Sequence, residues 1–85
     1  MMSFQTGDIV SHFKRQFADP DSKDYLYEII GEAMHTETNE TLIVYQALYE
    51  PYPMFARPKD MFLSKVDKEK YPEVQQIYRF EKVNK

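Results

Sequence analysis

The sequence predicts an all-β fold: a small, partly open barrel of five to six short antiparallel strands with one or two single-turn helices. Three observations carry this. Short runs rich in branched and aromatic residues recur along the chain and are bounded by turn-formers, which is how strands read. Those runs and turns leave little of the chain for helix. The chain has 85 residues, and an immunoglobulin-type sandwich needs about 100.

The central strand is the clearest element. Residues 42–49, LIVYQALY, form the longest uncharged β-type run. Side chains alternate along a strand, so Ile43, Tyr45, Ala47 and Tyr49 share one face and Leu42, Val44, Gln46 and Leu48 the other. Gln46 alone is strongly polar, which predicts a strand covered on much of both faces.

The other elements follow in order. Residues 1–5 read as a frayed end, and Thr6-Gly7-Asp8 is a turn signal. A first strand covers 9–14 and a turn-rich loop 15–23, where Pro20 presets φ and the Asp side chains bond nearby backbone. A second strand runs over 24–34, with Gly31 placed where a bulge is cheap. The polar turn HTETNET, 35–41, makes an antiparallel hairpin, and Asn39 is its residue most tolerant of positive φ. Pro51 and Pro53 exclude a central strand because each lacks a ladder donor. A short fourth strand spans 54–57, and Pro58 opens a helical turn over 59–62. Residues 63–66 return to strand. A capped helical turn covers 67–71 and ends at Pro72, and a last strand covers 77–83.

Composition narrows the function classes. The chain is one domain, 1–85, with its core in 7–83. A domain this small buries only about 60% of the surface its unfolded chain exposes. Its seven Tyr and six Phe must therefore supply most of the burial. There is no Cys, which excludes disulfides and thiolate metal ligands and fits a reducing cytoplasm. No apolar run approaches the ~20 residues of a membrane span, and the first residues lack a signal-peptide pattern. Eleven basic residues stand against fourteen acidic ones, net −3, whereas a nucleic-acid binder usually carries a basic stripe.

Five sequence blocks occur in order: HFK at 12–14, HTETNE at 35–40, VYQALY at 44–49, RPKDMF at 57–62 and RFE at 79–81. In these the chain resembles the bacterial family called domain of unknown function 1653, over nearly its whole length from Gly7 to Val83. The resemblance implies an SH3-like barrel roll, with the Pro58 turn as the short 3₁₀ turn before a late strand, and it implies no activity. The chain departs from the family pattern where Arg15 and a longer loop follow HFK, and where Ala56 replaces a branched residue.

The candidate site residues are His12, His35, Glu37, Glu40, Tyr45, Tyr49 and Arg57. Two imidazoles and a carboxylate, His12, His35 and Glu37, are the donor types that hold zinc or iron or act as a base near neutral pH. The plainer reading places Glu37 and Glu40 on a solvated turn, with His12 donating to a backbone carbonyl; no metal or cofactor is assigned. Nucleophile motifs and phosphate-cradling glycine loops are absent. The aromatic set Tyr25, Tyr27, Tyr45, Tyr49, Tyr52, Phe55 and Tyr78 exceeds what a thin core needs. Its surplus suits a groove for a peptide or protein, as in SH3 domains.

The sequence therefore reads as a non-enzymatic binding or interaction module presenting a tyrosine-lined surface. The alternatives are a metal-dependent or acid/base enzyme using His12, His35 and Glu37, and a single-stranded nucleic-acid binder stacking bases on the same aromatics. Arg57 and Arg79 are each expected in an ion pair with Glu37, Glu40 or Asp60, the other option being bidentate contact with an anion. Arg57 is placed beside Tyr45 and near Glu40 or Glu37. The interleaved charges of Lys65, Asp67, Lys68, Glu69 and Lys70 read as solvated surface.

Overall fold

The computed structural model describes residues 4–83. Five antiparallel strands form one sheet in the order β4-β3-β2-β1-β5. They are β1 (Ile9–His12), β2 (Leu26–Met34), β3 (Thr41–Ala47), β4 (Met54–Pro58) and β5 (Phe80–Lys82), with a 3₁₀ turn at Phe13–Phe17 and the single-turn helix α1 at Lys59–Phe62. The all-β expectation holds. The ladder is open, with β4 and β5 as its edges.

The first strand stops two residues sooner than expected. The Nδ1 of His12 accepts the backbone N–H of Lys14 at 3.1 Å and caps the 3₁₀ turn. A side-chain acceptor at that point satisfies a donor that would otherwise continue the ladder. His12 thus accepts from backbone through Nδ1, where a donation to a carbonyl was expected.

The bulge in β2 lies where Gly31 predicted it. Ile29 faces Tyr45 and Gly31 faces Val44, so the register shifts between them. Two residues of β2 there oppose one of β3, which bends the strand. The following turn closes with His35 N–H donating to Glu40 O at 2.8 Å and with Asn39 at φ 61°.

Strand β3 buries Ile43, Tyr45 and Ala47 and leaves Leu42, Val44 and Gln46 half-buried, as alternation requires. It ends at Ala47, short of Tyr49, where the proline loop begins. Phe62 and Phe80 join Tyr45 and Ala47 in one core with Val10, Tyr27, Ile29 and Ile43. Phe13, Val66 and Val74 form a smaller cluster against Tyr71.

Three local expectations are corrected. Residues 63–66 pair only through a single bridge, Lys65 to Tyr78. The last strand shortens to three residues, because Glu81 Oε2 accepts from Ile77 and Tyr78 N–H, both at 3.0 Å. Gln76 Nε2 meanwhile donates to the carbonyls of Ser11, Tyr78 and Arg79. Side chains here take the backbone groups that a ladder would use. Phe4, expected to fray, packs edge-on against Phe62 at 5.7 Å; residues 1–3 lie outside the described residues.

The sheet is strongly curled. Adjacent strands lie about 4.8 Å apart, so four spacings would separate flat edges by roughly 19 Å. Yet the Arg57 guanidinium of β4 sits 6.0 Å from the ring centre of Phe80 in β5. Among the described residues no helix is long and apolar enough to cross a membrane.

Candidate functional site

Register decides which side chains meet. In β1 and β5, His12 stands opposite Phe80, with Arg79 immediately before that strand. In β3 and β4, Ile43 stands opposite Arg57 and Tyr45 opposite Phe55. Partners across a ladder share a face, so Arg57 follows Ile43 onto the core side. That is why Arg57 turns away from the 35–41 hairpin. Its expected ion pair with Glu40 or Glu37 does not form. Instead Arg57 Nε donates to the Tyr45 hydroxyl at 3.4 Å, and its guanidinium stacks toward Phe80. Tyr45 and Arg57 are adjacent as expected.

These contacts build a cleft of about 360 Å³. Its polar rim carries His12, Lys14, Arg57, Lys70 and Arg79, and its apolar wall is Phe13, Val66 and Tyr71. Asp67 is the single carboxylate in the lining, and its Oδ1 already accepts the backbone N–H groups of Glu69 and Lys70 at 3.1 and 3.4 Å. Four cationic side chains thus face one carboxylate, in a chain whose net charge is −3.

The guanidinium groups are anchored and unpaired. Arg79 Nε donates to Ser64 Oγ at 3.2 Å, as Arg57 Nε does to Tyr45. Among the described residues the ion pairs are Lys59 with Glu32 at 2.9 Å and Lys82 with Asp8 at 3.4 Å; none involves the cleft. The expected pairing of Arg79 with Asp60 or a hairpin glutamate is therefore absent too. Each guanidinium spends Nε on a hydroxyl, which leaves the other four donors of the Arg fork unused among the described residues.

His12 is neutral at ordinary pH. Burial, reinforced by the positive charges of Arg79, Arg57 and Lys14, lowers it to about 4. Both effects disfavour the imidazolium. Since Nδ1 accepts from Lys14, the proton of the neutral ring resides on Nε2. His12 packs against Phe13 at 4.2 Å and edge-on to Phe80 at 5.1 Å, which holds it at the cleft.

The remaining candidates lie elsewhere. His35 follows β2, whereas His12 adjoins the beginning of that nine-residue strand; at about 3.3 Å per residue the two are far apart. The Nδ1 of His35 accepts from Glu37 and Thr38 N–H, and Glu40 Oε1 accepts from Thr38 Oγ1 at 3.1 Å. These bonds tie the hairpin turn. Among the described residues no three His or acidic side chains group to hold a metal ion.

Tyr49 shares a hydroxyl hydrogen bond with Tyr27 at 3.0 Å. The pKa of Tyr27 is driven up by burial and by that bond. Tyr27 and Tyr45 are core residues, while Tyr52 and Phe55 are exposed.

Sequence reasoning gave Lys14 and Lys70 no site role and read Arg79 as a structural ion pair. Arg79 carried a legible signal: it directly precedes the core residue Phe80 and, like Arg57, opens one of the five sequence blocks. Lys70 carried none, since its neighbours alternate in charge.

A family model described as Protein of unknown function (DUF1653) matches residues 8–82, and the chain belongs to that family. Neither a curated protein nor a solved structure matches it.

Proposed function

We propose that this protein is a non-enzymatic binding module that recognises an anionic group through the cleft between β1, β4 and the 66–79 segment. One observation carries the reading: two half-buried guanidiniums, each anchored by Nε, line the same cleft, and among the described residues no carboxylate pairs with them. Gathering like charges costs free energy unless an opposite charge offsets it. Bidentate Arg is also the side chain best matched to planar anionic groups. Tyr45 contributes by orienting Arg57, and His12 contributes a neutral Nε2 donor. An SH3-like roll of the open sheet belongs to the same proposal. The contact between Arg57 and Phe80 brings the two sheet edges together, so their residues serve one cleft.

The test is titration of the ¹⁵N-labelled protein with inorganic phosphate. Shifts confined to His12, Lys14, Arg57, Arg79 and their neighbours are expected, with loss of response in Arg79→Gln. Absence of any response, or uniform shifts over the whole surface, would reject the site.

A further inference from the structure

Resting on that reading, we infer that the cleft takes a phosphate monoester dianion carried on a planar ring. Three features lead there. The first is charge. One guanidinium fork suffices for a carboxylate. Here Arg57, Arg79, Lys14 and Lys70 face only Asp67. A phosphate monoester brings a charge of about −1.5 to −2 and three strong acceptor oxygens at neutral pH, which matches this surplus better than a carboxylate does.

The second is donor arrangement. The Nε atoms of both arginines are occupied by Tyr45 and Ser64. Among the described residues their terminal nitrogens and the Nε2–H of His12 have no hydrogen-bond partner, and all three residues line the cleft. The Oδ1 of Asp67 is engaged by backbone. A lining so rich in donors fits a group that only accepts.

The third is shape. The cations converge in one cleft, and Glu69 and Glu73 lie in the segment beside it. A polyanionic backbone needs an extended basic track, which this surface interrupts with acidic residues. The cleft volume of about 360 Å³ falls in the range of small-molecule sites and leaves room beside the phosphoryl group. Half-buried Tyr71, backed by the buried Phe13 at 4.9 Å and with Lys70 Nζ 5.6 Å from its ring centre, offers an aromatic edge there for a ring.

The experiment titrates the full chain at constant ionic strength with phenyl phosphate, inorganic phosphate, benzoate and an oligonucleotide lacking terminal phosphate. Phenyl phosphate should bind tightest, about tenfold or more ahead of benzoate, as an additional charge-assisted contact implies. Its affinity should fall between pH 7.5 and 5.5 as the second phosphoryl proton, pKa about 6, is taken up. In ³¹P spectra that pKa should be lowered by binding, a readout on the native protein that stands even where Arg79→Gln fails to fold. Benzoate binding as tightly as phenyl phosphate overturns the phosphoryl inference and leaves the anion site standing. Equal affinity for inorganic phosphate and phenyl phosphate overturns the ring. Tighter binding of the oligonucleotide overturns the single-phosphoryl assignment. No binding by any probe removes the anion site itself.

Discussion

The ring of Phe62 lies flat against that of Phe80, with centroids 4.0 Å apart and planes 6° from parallel. Phe62 belongs to the single-turn helix and Phe80 to the last strand, and both are almost fully buried. Their stack joins two segments that share no ladder, and Tyr45 packs against both rings.

Removing half of that stack should be severe. Phe62→Ala is expected to cost on the order of 3–5 kcal/mol, through lost burial and the cavity left behind. That is a large part of the stability of a domain this size. Urea denaturation followed by tyrosine fluorescence measures it; a midpoint equal to the parent's would mean that Phe62 does not anchor the core. Phe62→Leu should cost markedly less, because it refills most of the volume.

Stability should also fall on acidification through His12. Its folded value of about 4 lies below the ordinary histidine value of 6.5. The unfolded chain therefore binds the proton more readily between those values, and stability rises with pH across that window. The His12 contribution is complete above about pH 6.5 and is lost as pH falls toward 4. An NMR titration should show His12 still neutral at pH 5. His12→Asn, which keeps an acceptor for the Lys14 N–H, should flatten that part of the stability profile. Unchanged acid sensitivity in the variant would assign it to other groups.

The hairpin turn makes a sign-dependent prediction. Asn39 holds φ at 61°, a region that costs most L-residues roughly 1 kcal/mol or more. Asn39→Ala should lower stability by about 1 kcal/mol, while Asn39→Gly should be close to neutral. Thermal melts of the two variants decide it, and equal melting of both would show that the turn rearranges at no cost.

Much of the fold was legible because alternation and turn chemistry are local. The buried face of β3, the bulge by Gly31, the positive φ of Asn39 and the helix after Pro58 each follow from a few consecutive residues. So did the family, since its blocks are contiguous. The reduced pairing of residues 63–66 and 77–79 was not legible, because Gln76 and Glu81 compete for backbone groups in a way that strand propensity does not register.

The candidate site divides along the same line. From the sequence, His12, Tyr45 and Arg57 stood out as polar or aromatic residues in distinctive blocks. The sequence already placed Arg57 beside Tyr45; only the tertiary structure decided the rest of their company. The pairing of His12 with Phe80 and of Ile43 with Arg57, combined with the curl of the sheet, gathers Arg57 and Arg79 into one cleft and leaves His35, Glu37 and Glu40 in a separate turn. The antiparallel pairing of β4 with β3, which the structure contains, favoured a pairing of Arg57 with a hairpin glutamate only as long as the face on which Arg57 emerges was unknown. The face on which Arg57 emerges is set by its cross-strand partner, and that partner is fixed by register between distant segments.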